Sequence, residues 1–281
     1  MPILAPDSEE AKRIDAALRD WRQGDLALDE DWFVHVGDPA EPLTEASAEA
    51  NDAGTQALTS DAAGLVVVTQ TCDLVRTCVV RPYVEVAPLV RVDASDLRAI
   101  ERGRRPALAT LPVLRPGGLA VDLDRVMTVE KSIVAKWSRT PGWTTDDEAR
   151  TFAAALARKR LRFAFPDDFT ELAKPLQRRL AEKHDKESEE GRGLRALREI
   201  RVQAAPSWDA TSVALTFWFI RDDAAVDLGA KLGAWLALVP AGRRFRQVEG
   251  AVVTLDEMTG ADYVGSDPLD LDYLTSRSPS G

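Results

Sequence analysis

The chain is poor in the residues from which most chemical sites are built. It has two histidines, two cysteines, three methionines and three tyrosines in 281 residues. Cys72 and Cys78 cannot make a disulfide framework, and reduced thiols point to a cytoplasmic setting. Their spacing, with no second pair, does not suit a structural zinc site. His35 falls in the alternating run Trp32–Val36 and reads as a strand residue, while His184 sits in a charged stretch. Neither has the local context of a Ser-His-Asp or Cys-His nucleophile system. There is no GxxxxGK[ST] loop and no strand-linked GxGxxG, so the usual nucleotide fingerprints are missing. Pro116-Gly117-Gly118 reads as a turn, and Asp122 with Asp124 gives two carboxylates without a third ligand for magnesium. No metal and no cofactor is expected. No apolar run reaches the ~18 residues of a membrane span. The longest, Leu228–Pro240, is broken by Gly229, Lys231 and Gly233. Met1–Asp7 lacks a basic start and a long apolar core, so no secretory signal is expected.

Positive charge is also in deficit. The formal net charge is -10, which argues against broad nucleic-acid binding, since that needs a basic surface. The balance is uneven: between Arg150 and Arg201 stand 14 Lys or Arg against 9 Asp or Glu, a local basic face. The remaining composition, 45% hydrophobic and 29% charged, is that of an ordinary globular chain.

What stands out is Gly64-Leu65-Val66-Val67-Val68-Thr69-Gln70-Thr71-Cys72-Asp73-Leu74. Leu65–Val68 shows no polar alternation and reads as a strand buried on both faces. It ends abruptly in two hydroxyls, an amide, a thiol and a carboxylate, a place where a rigid scaffold presents side chains. The bland alternative is a core strand entering a capped turn, with Thr71 or Asp73 bonded to local backbone.

In chain order, Ser8–Trp21 reads as an amphipathic helix with Ser8 as N-cap and Ile14, Ala17, Leu18 and Trp21 on one stripe. Gly24-Asp25 signals a turn before a short strand. Residues 38–60 read as a long exposed loop. Strands follow over Cys78–Val80 and Tyr83–Leu89, interrupted by Arg81-Pro82, and over Leu111–Leu114 and Leu119–Val129, with a short helix at Asp96–Arg104 between them. Thr144–Arg162 is a strong helix capped by Thr145, and a second helix near Asp168–Lys183 is interrupted by Pro175. Phe163, Phe165 and Phe169 form an aromatic corner best read as core packing. His184–Arg192 reads as a solvated run. Strands over Leu197–Ala204, Ser212–Arg221 and Phe245–Leu255 surround a helix at Asp227–Val239. The fold class is therefore α+β, with a small β-barrel in the N-terminal half, a helical middle and a small α+β module at the C-terminus. The expected divisions are 1–21, 22–135, 144–192 and 193–281.

Three segments in the first half, in the right order, resemble the MazF/PemK family of toxin endoribonucleases. Arg22-Gln23-Gly24-Asp25-Leu26 is similar to the family's opening strand. Leu65–Thr69 is similar to its central Val-rich strand ending in Ser or Thr. Asp124-Arg125-Val126-Met127-Thr128-Val129-Glu130-Lys131-Ser132 is similar to its late segment. The resemblance implies an SH3-like barrel over residues 22–135, a dimer, and Thr69 at the functional hydroxyl position. Ala62, Ala63 and Gly64 stand where the family places an Arg-Pro, and Met127 where the late segment has Arg. Metal-free RNA cleavage needs a base and a cation for the developing phosphorane charge. Asp73 is the candidate base, and Arg76, Arg22 or Arg81 the candidate cation. Arg22, Gly24, Asp25, Gln70, Thr71, Cys72 and Arg81 are candidate binding residues. With the family arginine missing and an acidic chain, the expected role is a non-catalytic binding or assembly protein in a bacterial defence or toxin–antitoxin setting. Its partner is a protein or a second copy, with no membrane. The alternative is a metal-independent endoribonuclease that reaches single-stranded RNA through the basic face.

Overall fold

The computed structural model describes residues 5, 7–38, 40–49, 56–101, 105–161, 163–184, 186–221 and 228–269. The chain divides into two compact units, Met1–Leu161 and Arg162–Gly281. The expected helical segment 144–192 thus has residues on both sides of the division.

The first unit begins with α1 (Glu9–Leu18), where Ser8 Oγ accepts the Ala11 N–H as N-cap. Then come β1 (Leu26–Ala27), β2 (Trp32–Gly37), α2 (Glu45–Glu49), β3 (Gln56–Asp61), β4 (Leu65–Val67), α3 (Thr71–Leu74) and β5 (Tyr83–Arg91). After them stand α4 (Ala94–Glu101), β6 (Leu108–Ala109), a 3-10 turn at Pro112–Gly117, β7 (Leu119–Asp122), β8 (Met127–Glu130), α5 (Lys131–Val134) and α6 (Asp146–Arg160). The main sheet runs β1-β4-β5-β7-β6, with β8 also paired to β5, and β2 and β3 form a separate antiparallel pair.

β4 is the strand that the sequence marks out. Leu65 and Val67 enter one buried cluster with Ile14, Leu18 and Trp21 of the α1 region. Val66 and Val68 enter another with Leu89, Val121 and Phe152 of α6. An unbroken apolar run is what a strand between two cores requires, because alternate side chains point to opposite faces. α6 is fixed at its start by a reciprocal box, Thr145 capping Glu148 N–H while Glu148 reaches back to Thr145.

Several expectations are corrected. Among the described residues no pairing joins β6 back to β1, so the sheets do not close into a barrel. The outermost strands are two residues long, and β7 and β8 pair with successive parts of β5, with Leu123–Val126 between them. Leu111–Leu114 is not a strand, since Pro112 opens a 3-10 turn. The expected loop 38–60 holds α2 and much of β3, with 39 and 50–55 outside the described residues.

The second unit comprises α7 (Asp167–His184), α8 (Glu189–Arg195), β9 (Leu197–Ala205), β10 (Val213–Arg221), α9 (Gly229–Leu236), β11 (Phe245–Val253), α10 (Gly260–Val264) and β12 (Asp267–Pro268). Its sheet order is β11-β10-β9-β12, with β10 and β11 parallel and joined through α9. Phe169, Leu176 and Leu180 of α7 pack with Val202, Phe217, Phe219 and Trp235 in one core, which also takes in Phe165 and Trp208. Phe169 and Phe165 of the aromatic corner pack in this core as expected, whereas Phe163 is exposed and only touches Phe165 and Trp208. One expectation fails here: α7 runs through Pro175 without a break. In the charged run His184–Arg192, Lys186, Glu187, Ser188, Glu189 and Arg192 are exposed as expected, and Gly191 is buried where the run enters α8.

The two units are both α+β, and among the described residues no helix is long and apolar enough to cross a membrane. The tightest polar joint of the first unit is Asp25, 1% exposed. Its Oδ2 accepts Arg22 N–H at 2.7 Å and Arg139 Nε–H at 2.6 Å, and its Oδ1 accepts Gly142 N–H at 3.4 Å. A Cβ on Gly142 would lie 1.9 Å from Gly24 O, so the two backbones touch. Asp25→Ala is expected to cost about 3 kcal/mol in urea unfolding, because it strands a buried N–H and the Arg139 charge. Gly142→Ala is expected to destabilise as well, whereas Gly233→Ala, whose Cβ would meet nothing within 4 Å, is expected to be tolerated.

Candidate functional site

The polar strand end is tied down from three sides. Thr69 Oγ1 accepts Glu85 N–H from β5 at 2.6 Å. Thr71 Oγ1 accepts Gln23 N–H at 3.1 Å, and Gln23 Nε2 donates to Val68 O at 2.8 Å. Trp143 Nε1 in turn donates to Gln23 O at 2.7 Å. Both hydroxyls therefore act as acceptors for backbone donors that would otherwise be orphaned. Gln70 stands at the N-cap of α3 without a side-chain capping bond, and the Cys72 thiol donates to Gln70 Oε1 at 3.6 Å.

The third tie is Lys131, the first residue of α5 and 1% exposed. Its Nζ donates to Asp73 O at 3.0 Å and to Arg76 O at 2.5 Å. An ammonium inside the fold thus satisfies carbonyls at the end of α3, where orphan acceptors and the negative end of the helix dipole lie. Burial pushes the Lys131 pKa below the ordinary 10.5, opposed by the nearby charges of Asp15, Cys78 and Asp73. Asp15 Oδ1 accepts Cys78 N–H at 2.7 Å, which pins the following turn to α1. The buried Cys78 thiol is pushed up, first by desolvation and then by Asp15.

The candidate residues fall into two groups. Asp73, Arg76 and Arg81 come together: Arg76 Nε and Arg81 Nε lie 3.9 and 3.8 Å from Asp73 Oδ1. These are long, exposed pairs, worth little to stability. Gln70 and Cys72 are exposed beside them in sequence. Gly24 and Asp25 instead belong to the frame. Gly24 has φ 93, a left-handed backbone that suits glycine, and its N–H donates to Val67 O at 2.8 Å. Arg22 turns its guanidinium onto Arg19 O and Trp21 O at 2.8 and 2.9 Å, closing the α1 region.

Sequence reasoning missed Lys131, Asp15, Arg139 and Glu85. It also missed that the segment after Asp73 carries exposed Val75, Val80 and Tyr83, 47%, 64% and 61% exposed. Lys131 stands in the sequence as part of the segment Asp124–Ser132, directly after β8, with nothing local to mark its buried role.

Three other cations of the first unit are occupied. Arg160 NH2 meets Glu85 at 2.8 Å, Arg125 Nε meets Asp122 at 2.7 Å, and Lys159 pairs with Asp124. The expected basic face is split between the two units, and Lys174, Arg179 and Arg195 pair with Glu171, Glu190 and Glu187. Among the described residues no group of three His, Cys, Asp or Glu is placed to hold a metal ion. No protein-family model, no curated protein and no solved structure matches this chain.

Lys131→Met is expected to lower stability by about 2 kcal/mol, the worth of a charged donor on two carbonyls, and to speed tryptic cutting after Arg76. A lysine with a lowered folded pKa binds fewer protons folded than unfolded in the window up to 10.5. Its contribution to stability therefore rises with pH there. Wild type should gain on Lys131→Met as pH climbs through that window in paired urea titrations.

Proposed function

We propose that this chain is a non-catalytic binding or assembly protein that works through the segment 70–83. The observation behind this reading is that the acid–base groups at the strand end are already engaged. Thr69 and Thr71 accept backbone N–H groups, Asp25 is clamped by Arg139, Glu85 is paired with Arg160, and Asp73 lies between two arginines. A general base must be able to reach the proton it removes. Neither hydroxyl has a carboxylate or imidazole bonded to it among the described residues, and both histidines lie elsewhere in the sequence.

The outward side chains are of a different kind. Arg76, Arg81 and Tyr83 are residue types that carry energy at protein interfaces, and exposed Val75 and Val80 add apolar area beside them in sequence. The segment is also held by Lys131 and Asp15, so little ordering entropy is lost on binding. The likeness of Arg22–Leu26, Leu65–Thr69 and Asp124–Ser132 to the MazF/PemK family is the support for reading such a module in a cytoplasmic toxin–antitoxin or defence setting. In this reading an open SH3-like sheet is kept as a platform while cleavage is lost.

A second reading, metal-free RNA cleavage, is favoured by one feature: Asp73 with two guanidinium groups within 4 Å is a base beside cations. Incubation of the protein with mixed-sequence RNA in a chelator separates the two. Intact RNA is expected on a denaturing gel, with wild type, Thr69→Ala and Asp73→Ala alike. Cuts made by wild type and absent from both variants would replace the binding reading with the ribonuclease one.

A further inference from the structure

Between α1 and the end of α3 lies a groove of about 370 Å³ lined by Lys12, Asp15, Ala16, Arg19 and Val75. We infer that this groove, with Arg76 and Arg81 beside it, receives an acidic amphipathic segment of a protein partner, one apolar side chain seated on Ala16 and Val75. The inference rests on the binding reading above and names its partner class.

Three observations support it. First, charge: the lining and the adjoining residues present Lys12, Arg19, Arg76 and Arg81 outward, on a chain whose net charge is -10. Asp15 also lines the groove, its Oδ1 accepting Cys78 N–H, so the lining itself carries two cations against one carboxylate. Second, availability: Arg19 forms no ion pair among the described residues. Arg76 and Arg81 share one carboxylate at almost 4 Å and can exchange it for a partner's at small cost. Lys12 is held only by exposed Glu9 one turn earlier. Third, shape: the volume suits one or two side chains, with Ala16 and Val75 as the apolar part of the lining. An apolar anchor ringed by arginines fits a segment with alternating acidic and aliphatic faces. RNA fits less well, because a phosphate backbone uses the cations but leaves Ala16 and Val75 without a partner.

The test uses the full chain and three labelled synthetic helical peptides, read by fluorescence anisotropy. One carries leucine on one face and glutamate on the other. The second replaces its leucines with serine, and the third replaces its glutamates with lysine. The first alone is expected to bind. Its affinity should fall on the order of tenfold or more in Arg19→Glu and in Arg76→Glu/Arg81→Glu, and likewise in Val75→Ser. Arg76→Lys, which keeps the charge, should bind more tightly than Arg76→Glu. Circular dichroism of each variant confirms that it folds. No binding of the acidic peptide, or equal binding by wild type and charge-reversed variants, overturns the inference. So does sedimentation showing that wild type self-associates through these residues, because the occupant is then a second copy. A labelled oligouridylate that binds in the acidic peptide's place overturns it in favour of RNA. The broader reading survives the first of these failures if random peptides displayed on phage are enriched on wild type and lost on Arg81→Glu. It falls separately, to RNA cleavage that depends on Asp73.

Discussion

A lysine ammonium buried beneath a loop is the constraint on which the first unit's exposed face depends. Lys131 Nζ holds Asp73 O and Arg76 O together from inside the fold. Burying that charge costs desolvation energy, and its lowered pKa is the sign of that cost. The return is geometric. α3 is only four residues long and could not by itself fix the direction in which Val75, Arg76 and Arg81 point. Because Lys131 begins the helix right after β8, the sheet's own register sets where the ammonium lies. The loop's shape is therefore inherited from the pairing of β8 with β5.

A second joint completes the frame. Asp25 ties the turn after α1 to Arg139 and Gly142, and Gln23 beside it ties that turn to Val68 and Thr71. These contacts join residues over a hundred positions apart with those at the strand end. They explain why so many polar groups near β4 face inward. A site that must move protons keeps its donors and acceptors free for substrate, whereas here they are spent on holding backbone. What remains outward includes Arg76, Arg81, Tyr83, Val75 and Val80, with Gln70 and Cys72.

The sequence made some of this legible. Leu65–Val68 could only be a strand between two cores, and it is. Ser8 and Thr145 announced the starts of α1 and α6. Other features had no local sign. β3 pairs with β2 although Gln56–Asp61 contains a single large apolar residue, because long-range pairing outweighs weak propensity. α8 forms across Gly191 and Gly193, poor helix residues, and its close packing requires them, since a Cβ at either would collide with Lys186 O or with Leu228. Pro175 reads as an interruption, yet α7 continues through it, its neighbours Ala173 and Leu176 buried in the core. Lys131 looks like any surface lysine, since the carbonyls that bury it lie 58 and 55 residues earlier. The missing strand closure was equally invisible, because it turns on how few residues β1 and β6 contribute.

A binding role for residues 70–83 requires a prebuilt surface rather than a loop that orders on contact. Amide hydrogen exchange on the unliganded protein tests this most directly. Asp73, Leu74 and Val75 N–H groups, bonded to Gln70 O and Thr71 O, should be protected to a degree approaching that of β4, and Lys131→Met should abolish the protection there while sparing β10. Exchange of those amides at the rate of an open chain in wild type, or protection unchanged by Lys131→Met, would contradict it.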